Sequence, residues 1–312
     1  PALAALREAL PDARIGVCLM EPCAGLAPAL PGVDEVFIIR RRERNTRLWF
    51  RLAFRPNDAC VDFTGNDRSA FLSFLSKANR RVTFRWVQKS AFRRIFFNEF
   101  VCSSVRENHT VDHYLDLLRP LGIQKRGLDP VLHLPEAHEK AAEIILREAG
   151  LTGRFALVHP GTARPEKYWD PLKWAEVIDH CQQRLGLPCV LTGTHEPFEK
   201  RHIEAISAAV RCPFANYAGR LDLLTLAAMI RRASVLLSVD SAPVHFGAAF
   251  QTPQVAMFGM TNPFHWRPRH DKARVVMAGK AAPATEFSPS FKRQPMSELS
   301  TQAVISAMES LL

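Results

Sequence analysis

The sequence predicts an α/β protein made of two doubly wound, Rossmann-like domains. Three observations lead there. Short runs rich in apolar and β-branched residues alternate with helical-period runs along nearly the whole chain, the pattern of parallel sheets covered by helices on both faces. The chain has 312 residues, more than a single growing core accommodates. Near its middle, "LDPVLHLPEAHEK" brings a strand-like segment to Pro135, where a new helix begins. The expected domains are residues 1–134 and 135–293, followed by a last helix within 294–312.

The chain opens on "PALAALREALPDARIGVCL", without Met, as a helix already in progress: Leu3, Leu6 and Leu10 lie at helical spacing and "PDA" ends the helix. This predicts a strand–loop–helix unit short of its first strand and loop. Strands are expected at 15–19, 36–39, 59–63 and 82–84, then at 155–159, 189–192, 215–217, 235–239, 254–258 and 274–277. Helices are expected at 69–77, 111–118, 136–149, 171–185, 197–210, 223–231 and 297–312.

The apolar share of 47% and charged share of 23% are those of an ordinary globular protein. No stretch approaches the unbroken apolar run of roughly 20 residues that a membrane-spanning helix needs, and no signal peptide or lipidation motif is visible. Seven cysteines, an odd number with no CxxC pair, point to reduced thiols rather than to disulfides or a zinc site. The formal net charge is +10. Between residues 40 and 94, fifteen Lys and Arg stand against four acids, so the rest of the chain is close to neutral. So concentrated a charge calls for an anionic partner: nucleic acid, acidic lipid or a phosphorylated substrate.

Four strand-to-helix loops of the second half carry chemistry. In "ALVHPGTARPEKYWDPLKW" a glycine permits close backbone approach to an anion, Thr162 offers a hydroxyl and Lys167 a positive charge, while Asp170 and Pro171 start a helix. "CVLTGTHEPFEK" places Glu196 at the mouth of a helix, where a carboxylate can accept from ribose hydroxyls or simply complement the helix dipole. Leu221, ahead of the capping residue Asp222, can pack on an adenine face or be an unremarkable loop leucine. In "SVDSAPVHFG", Asp240 and Ser241 end a buried strand, Pro243 starts a helix and His245 lies on its first turn. One of Asp240 and Ser241 is expected to cap that helix, whose free N–H groups form an anion site. No GxxxxGK[ST] and no strand-borne GxGxxG is present, so neither a P-loop nor the usual dinucleotide fingerprint is involved. Four such loops on one domain suit a nucleotide diphosphate spread along a sheet edge.

These residues resemble glycosyltransferase family 9, the ADP-heptose:lipopolysaccharide heptosyltransferases. The resemblance runs through "HPGT…K.W", the glycine-to-glutamate segment Gly193 to Glu196, "SVDSAPVHFGAA…TPQVAMFGMTNP" and "VDFTGNDRSAFL". The arginine-rich stretch up to Arg94 is most similar to the branch called heptosyltransferase III. The resemblance implies a GT-B fold, two Rossmann-like domains facing a cleft, with the last helix crossing back to the first domain. It implies diphosphate contacts from Thr162 and Lys167, a ribose contact from Glu196 and an adenine neighbour in Leu221. It assigns Asp240, Ser241, Ala242 and His245 to phosphate and sugar, Ala242 standing where glycine is frequent, and Arg68 to the acceptor.

The implied reaction is metal-independent, inverting displacement of ADP from ADP-heptose by a hydroxyl of the lipopolysaccharide inner core. No cofactor is implied beyond the donor. Lys167 and Asp240 are the implied catalytic residues in the chain, with the general base on an aspartate-bearing loop ahead of Pro1. The enzyme would work in the cytoplasm, peripheral at the inner membrane of a Gram-negative bacterium. Two other readings stand beside it. "RRVTFRWVQKSAFRRIFF" interleaves cations with aromatics as nucleic-acid platforms do, although no RNA-binding signature accompanies it. A sugar-nucleotide-binding pseudoenzyme is the other.

Overall fold

The computed structural model describes Pro1–Leu312, which divide into two compact units, Pro1–Leu128 and Asp129–Leu312. The division thus falls somewhat before the expected residue 134, ahead of the extended "PVLHLP" segment rather than after it.

The first unit opens with a helix, Ala2–Ala9, whose Ala5 is buried with Leu115 and Leu118. Five parallel strands follow in two pieces rather than one sheet. β1 (Gly16–Met20) pairs with β2 (Glu35–Ile39); β3 (Ala59–Val61), β4 (Arg80–Phe84) and β5 (Glu99–Val101) pair in that order. Helices Thr46–Ala53 and Asp67–Leu75 pack on each other. The first buries Leu48 and Leu52, four residues apart, against Phe37 and Ile39 of β2. The second begins with a reciprocal cap: Asn66 accepts from Ser69 N, and Ser69 accepts from Asn66 N. Much of the cationic-aromatic stretch serves structure here. Val82, Phe84, Val87 and Phe97 are buried, Arg80 pairs with Glu99, and Arg81 donates to the Phe96 carbonyl at 2.8 Å.

The second unit holds one six-stranded parallel sheet: β6 (Ala156–His159), β7 (Cys189–Leu191), β8 (Ala215–Asn216), β9 (Val235–Val239), β10 (Gln254–Phe258) and β11 (Ala273–Met277). The spatial order is β11–β10–β9–β6–β7–β8, which is the doubly wound arrangement with its reversal between β6 and β9. β6, β7, β9 and β10 are buried on both faces, as their continuous apolar sequences require. Helices Pro171–Leu185, Pro197–Ala209, Leu223–Arg232 and Ala242–Phe250 make the crossovers, and Glu136–Glu148, ahead of β6, packs on Leu223–Arg232.

The last helix, Thr301–Glu309, packs on Pro171–Leu185, β10 and β11 within the second unit, burying Val304, Ala307 and Met308 in the main core. Its approach is fixed by Lys173, whose Nζ donates to the carbonyls of Ser297 (2.6 Å) and Leu299 (2.8 Å), and by Trp169 Nε1, which donates to Leu299 (3.2 Å). No helix is long and apolar enough to cross a membrane.

Candidate active site

Each of the four loops follows one of β6, β7, β8 and β9, and those strands are neighbours in the sheet in the order β9–β6–β7–β8. The loops therefore line one edge, outside the carboxyl ends of the strands and across the reversal point, where ligands bind in such sheets.

At the reversal the loop after β6 reaches the end of β9. Lys167 Nζ donates to Asp240 Oδ2 at 2.7 Å and to the Asp240 carbonyl at 3.0 Å, with the two side chains only 11% and 7% exposed. Thr261, beyond β10, donates to the same Oδ2 at 2.5 Å. With two of its three donors so engaged, Lys167 is held at one place and keeps one N–H to offer.

This corrects the expected capping. The helix Ala242–Phe250 has no side-chain cap: Asp240 is turned to Lys167 and Thr261, and the N-cap Ser241 shares a 3.3 Å contact with Ser238 Oγ. Its N-terminus is left open beside exposed Ala242, which suits an anion. His245 is half-buried on the first turn; burial holds its pKa down, opposed by Asp240, so it is a neutral hydrogen-bonding group near the pair.

The loops after β6 and β7 are tied together by a group that sequence reasoning misses. Glu199, 3% exposed, accepts from Thr194 N (2.6 Å) and Thr194 Oγ1 (2.9 Å) and lies against Gly161, where a Cβ would come within 1.9 Å of its Oε1. Only glycine fits there. The available signal is "EPFE", a second acid at the third helical position, from which a carboxylate reaches back over the preceding loop. Thr162 is half-buried, and its hydroxyl accepts only a long bond from Arg164 N at 3.4 Å. Glu196 is exposed at the N-cap of Pro197–Ala209 with no side-chain cap bond, free to meet a ligand. The loops after β7 and β8 are joined by Gly219 N donating to the Gly193 carbonyl at 2.8 Å; Leu221 is half-buried beyond it. The site thus brings Lys167, Asp240 and His245 together, with Thr162, Glu196 and Leu221 along the same edge.

Arg68 belongs to the first unit, exposed on the first turn of Asp67–Leu75, with a 3.8 Å contact to Met20 Sδ. The turn before it is organised by buried Asp62, which accepts from Thr64 N (2.8 Å), Thr64 Oγ1 (2.9 Å) and Ser69 Oγ (2.7 Å). The motif "VDFTGNDRS" signals Asp62 in the sequence, but not the bonds by which it organises this turn.

The second unit is thus a doubly wound α/β domain with an uncapped helix and a fixed lysine at its reversal point, the place where such sheets bind ligands. The family model "Glycosyltransferase family 9 (heptosyltransferase)" matches residues 45–296, and the chain belongs to that family of enzymes. Among its relatives is "Lipopolysaccharide heptosyltransferase 3" of Escherichia coli, 27% identical over 86% of this chain and 81% of that protein. Solved structures share the GT-B fold. A glycosyl transferase family 9 protein from Veillonella parvula DSM 2008 matches with a TM-score of 0.85 at 23% identity, over 99% of this chain and 91% of its own. The E. coli heptosyltransferase WaaC with ADP matches with a TM-score of 0.74 at 20% identity, over 100% and 94%.

Proposed function

We propose that the protein moves heptose from ADP-heptose to the phosphorylated inner core of lipopolysaccharide, with inversion at the anomeric carbon, at the cytoplasmic face of a Gram-negative inner membrane. The observation that carries this reading is the Lys167–Asp240 pair beside the uncapped helix Ala242–Phe250. The activity of the relatives supports it, and the likeness to lipopolysaccharide heptosyltransferase 3 favours that branch.

In the reaction an acceptor oxygen attacks the anomeric carbon from the face opposite the diphosphate. The bond from that carbon to the phosphate oxygen breaks, and ADP leaves with the electron pair. Negative charge grows on the diphosphate, and the free N–H of Lys167 and the helix N-terminus stabilise it without reorganisation and without a divalent ion. Asp240 keeps Lys167 aimed rather than touching the leaving group. His245 and Ser241 are within the same turn to bind sugar or phosphate oxygens, Thr162 takes a phosphate oxygen, Glu196 the ribose and Leu221 the adenine. Arg68 binds the anionic acceptor. The acceptor proton goes to a general base as the new bond forms.

The test is calorimetry with ADP, followed by transfer from ADP-heptose to a heptose-bearing core fragment with the product's anomeric configuration read by NMR. Tight ADP binding and an inverted product are expected. Absence of ADP binding at millimolar concentration, or a retained configuration, overturns the reading.

A further inference from the structure

The first unit carries an apolar surface that the transfer reaction does not use. The helix Thr46–Ala53 buries Leu48 and Leu52, yet its opposite face exposes Phe50 (63%), followed by Phe54 (76%). The two rings stack on each other, with centroids 6.0 Å apart. Arg47 and Arg51 flank them at helical spacing, and Lys77 sits 5.9 Å over the Phe54 ring. The surface continues onto the neighbouring elements. Trp49 meets Phe71 edge-on at 5.9 Å, and Phe74 meets Phe96, which in turn meets Phe92. Ile95 stands 66% exposed beside them.

Stacked and edge-on pairs of aromatic rings, most of them exposed, thus recur on three elements of one unit, an amount of apolar surface that a soluble protein rarely leaves bare without a partner. The charge around it identifies the partner. Arg41, Arg42, Arg44, Arg47 and Arg94 are exposed and have no carboxylate partner, whereas the nearby acids Glu43 and Asp67 are ion-paired with Arg40 and Arg93. A helix with aromatic residues on its outward face and arginines at the rim matches the acyl–headgroup boundary of an anionic bilayer, with the rings in the boundary and the guanidiniums on lipid phosphates. Nucleic acid, which would stack its bases on open ring faces, is the other anionic partner, and the experiment below separates the two.

We propose that this face, centred on Phe50 and Phe54, docks the protein on an anionic lipid bilayer. The proposal concerns the surface alone and does not rest on the heptosyl-transfer reading. The experiment is co-sedimentation of the full chain with phosphatidylcholine vesicles with and without phosphatidylglycerol. Binding to the anionic vesicles, weakened by salt, is expected. Phe50→Ser/Phe54→Ser should lower the partition coefficient by about tenfold or more, and Arg42→Ala/Arg44→Ala by a similar factor. Phe92→Ser/Ile95→Ser, on a different element, repeats the test should the helix variant misfold, with circular dichroism as the check on each. Retained ADP binding and retained transfer to a soluble core fragment in the vesicle-deficient variants separate docking from catalysis. The proposal is overturned if the wild type stays in the supernatant, if folded variants sediment like the wild type, if single-stranded RNA displaces the vesicles, or if the patch is occupied by a second copy in a stable dimer.

Discussion

Lys167 and Asp240 stand 73 residues apart in sequence and 2.7 Å apart in the fold, joining the loop after β6 to the end of β9 across the point where the sheet reverses. Both are nearly enclosed, so each neutralises a charge the other cannot shed to water. Removing one partner of such a pair costs about 3–5 kcal/mol, whereas replacing both is close to neutral. Lys167→Met should therefore lower stability by that amount and turnover by about 100-fold or more. The double variant Lys167→Met/Asp240→Asn should regain most of the stability and none of the turnover. Urea denaturation and steady-state ADP release measure the two quantities, and a double variant that turns over like the wild type would remove Lys167 from the chemistry.

Glu199 and Glu196 lie on the same first turn with different surroundings. Glu199 is buried under the loop that Thr194 heads; Glu196 is exposed. Alanine at either position should raise the donor KM with a smaller change in kcat, since neither touches the departing diphosphate. Only Glu199→Ala should also cost stability, about 1–3 kcal/mol, because it strands the Thr194 N–H and hydroxyl. Equal melting temperatures for the two variants would refute that division of labour.

What the sequence reveals follows from where its signals are local. β9 and β10 can be read to the residue because "VLLSV" and "QVAMF" are continuous apolar runs in a doubly covered sheet. β5 is not signalled, since three residues with only Val101 buried carry no period. The helix Thr46–Ala53 escapes for a different reason: it is eight residues long, with only Leu48 and Leu52 buried, too short a run to declare a period. At the site, the residue types of Lys167 and Asp240 stand out in their strand ends, but their mutual bond cannot be read. A carboxylate ending a strand looks like a helix cap until a lysine from another loop is seen to occupy it. Thr261 is hidden in the same way, visible in "GMTNP" without its destination.

The last helix tests how far the second unit's core extends. Met308 is fully buried with its sulfur 3.3 Å from Cys181 Sγ. Met308→Ala should destabilise the second unit by about 2–5 kcal/mol, the range for a large-to-small change in a packed core. Loss of less than 1 kcal/mol in urea unfolding followed by the second unit's hydrogen exchange would mean that the helix is dispensable to that core.

Acid should weaken the second unit through His159. This residue sits at the end of β6, 5% exposed, with Nδ1 3.0 Å from Thr192 Oγ1, and burial pushes its pKa down from 6.5 to about 4. Above pH 6.5 the ring is neutral in the folded and unfolded chains alike, and its contribution is fully present. Below 6.5 the unfolded chain takes up a proton that the folded one refuses, so stability falls as pH drops and levels off only near pH 4. The shift corresponds to about 3 kcal/mol at the acid end. His202, stacked 4.4 Å from Tyr168 and also lowered to about 4 by burial, adds in the same direction. His159→Gln keeps a polar group facing Thr192 but cannot titrate. Its urea midpoint should therefore change less between pH 7 and pH 4.5 than that of the wild type. If the two proteins lose stability in parallel over that interval, proton uptake at His159 is not what acid acts on.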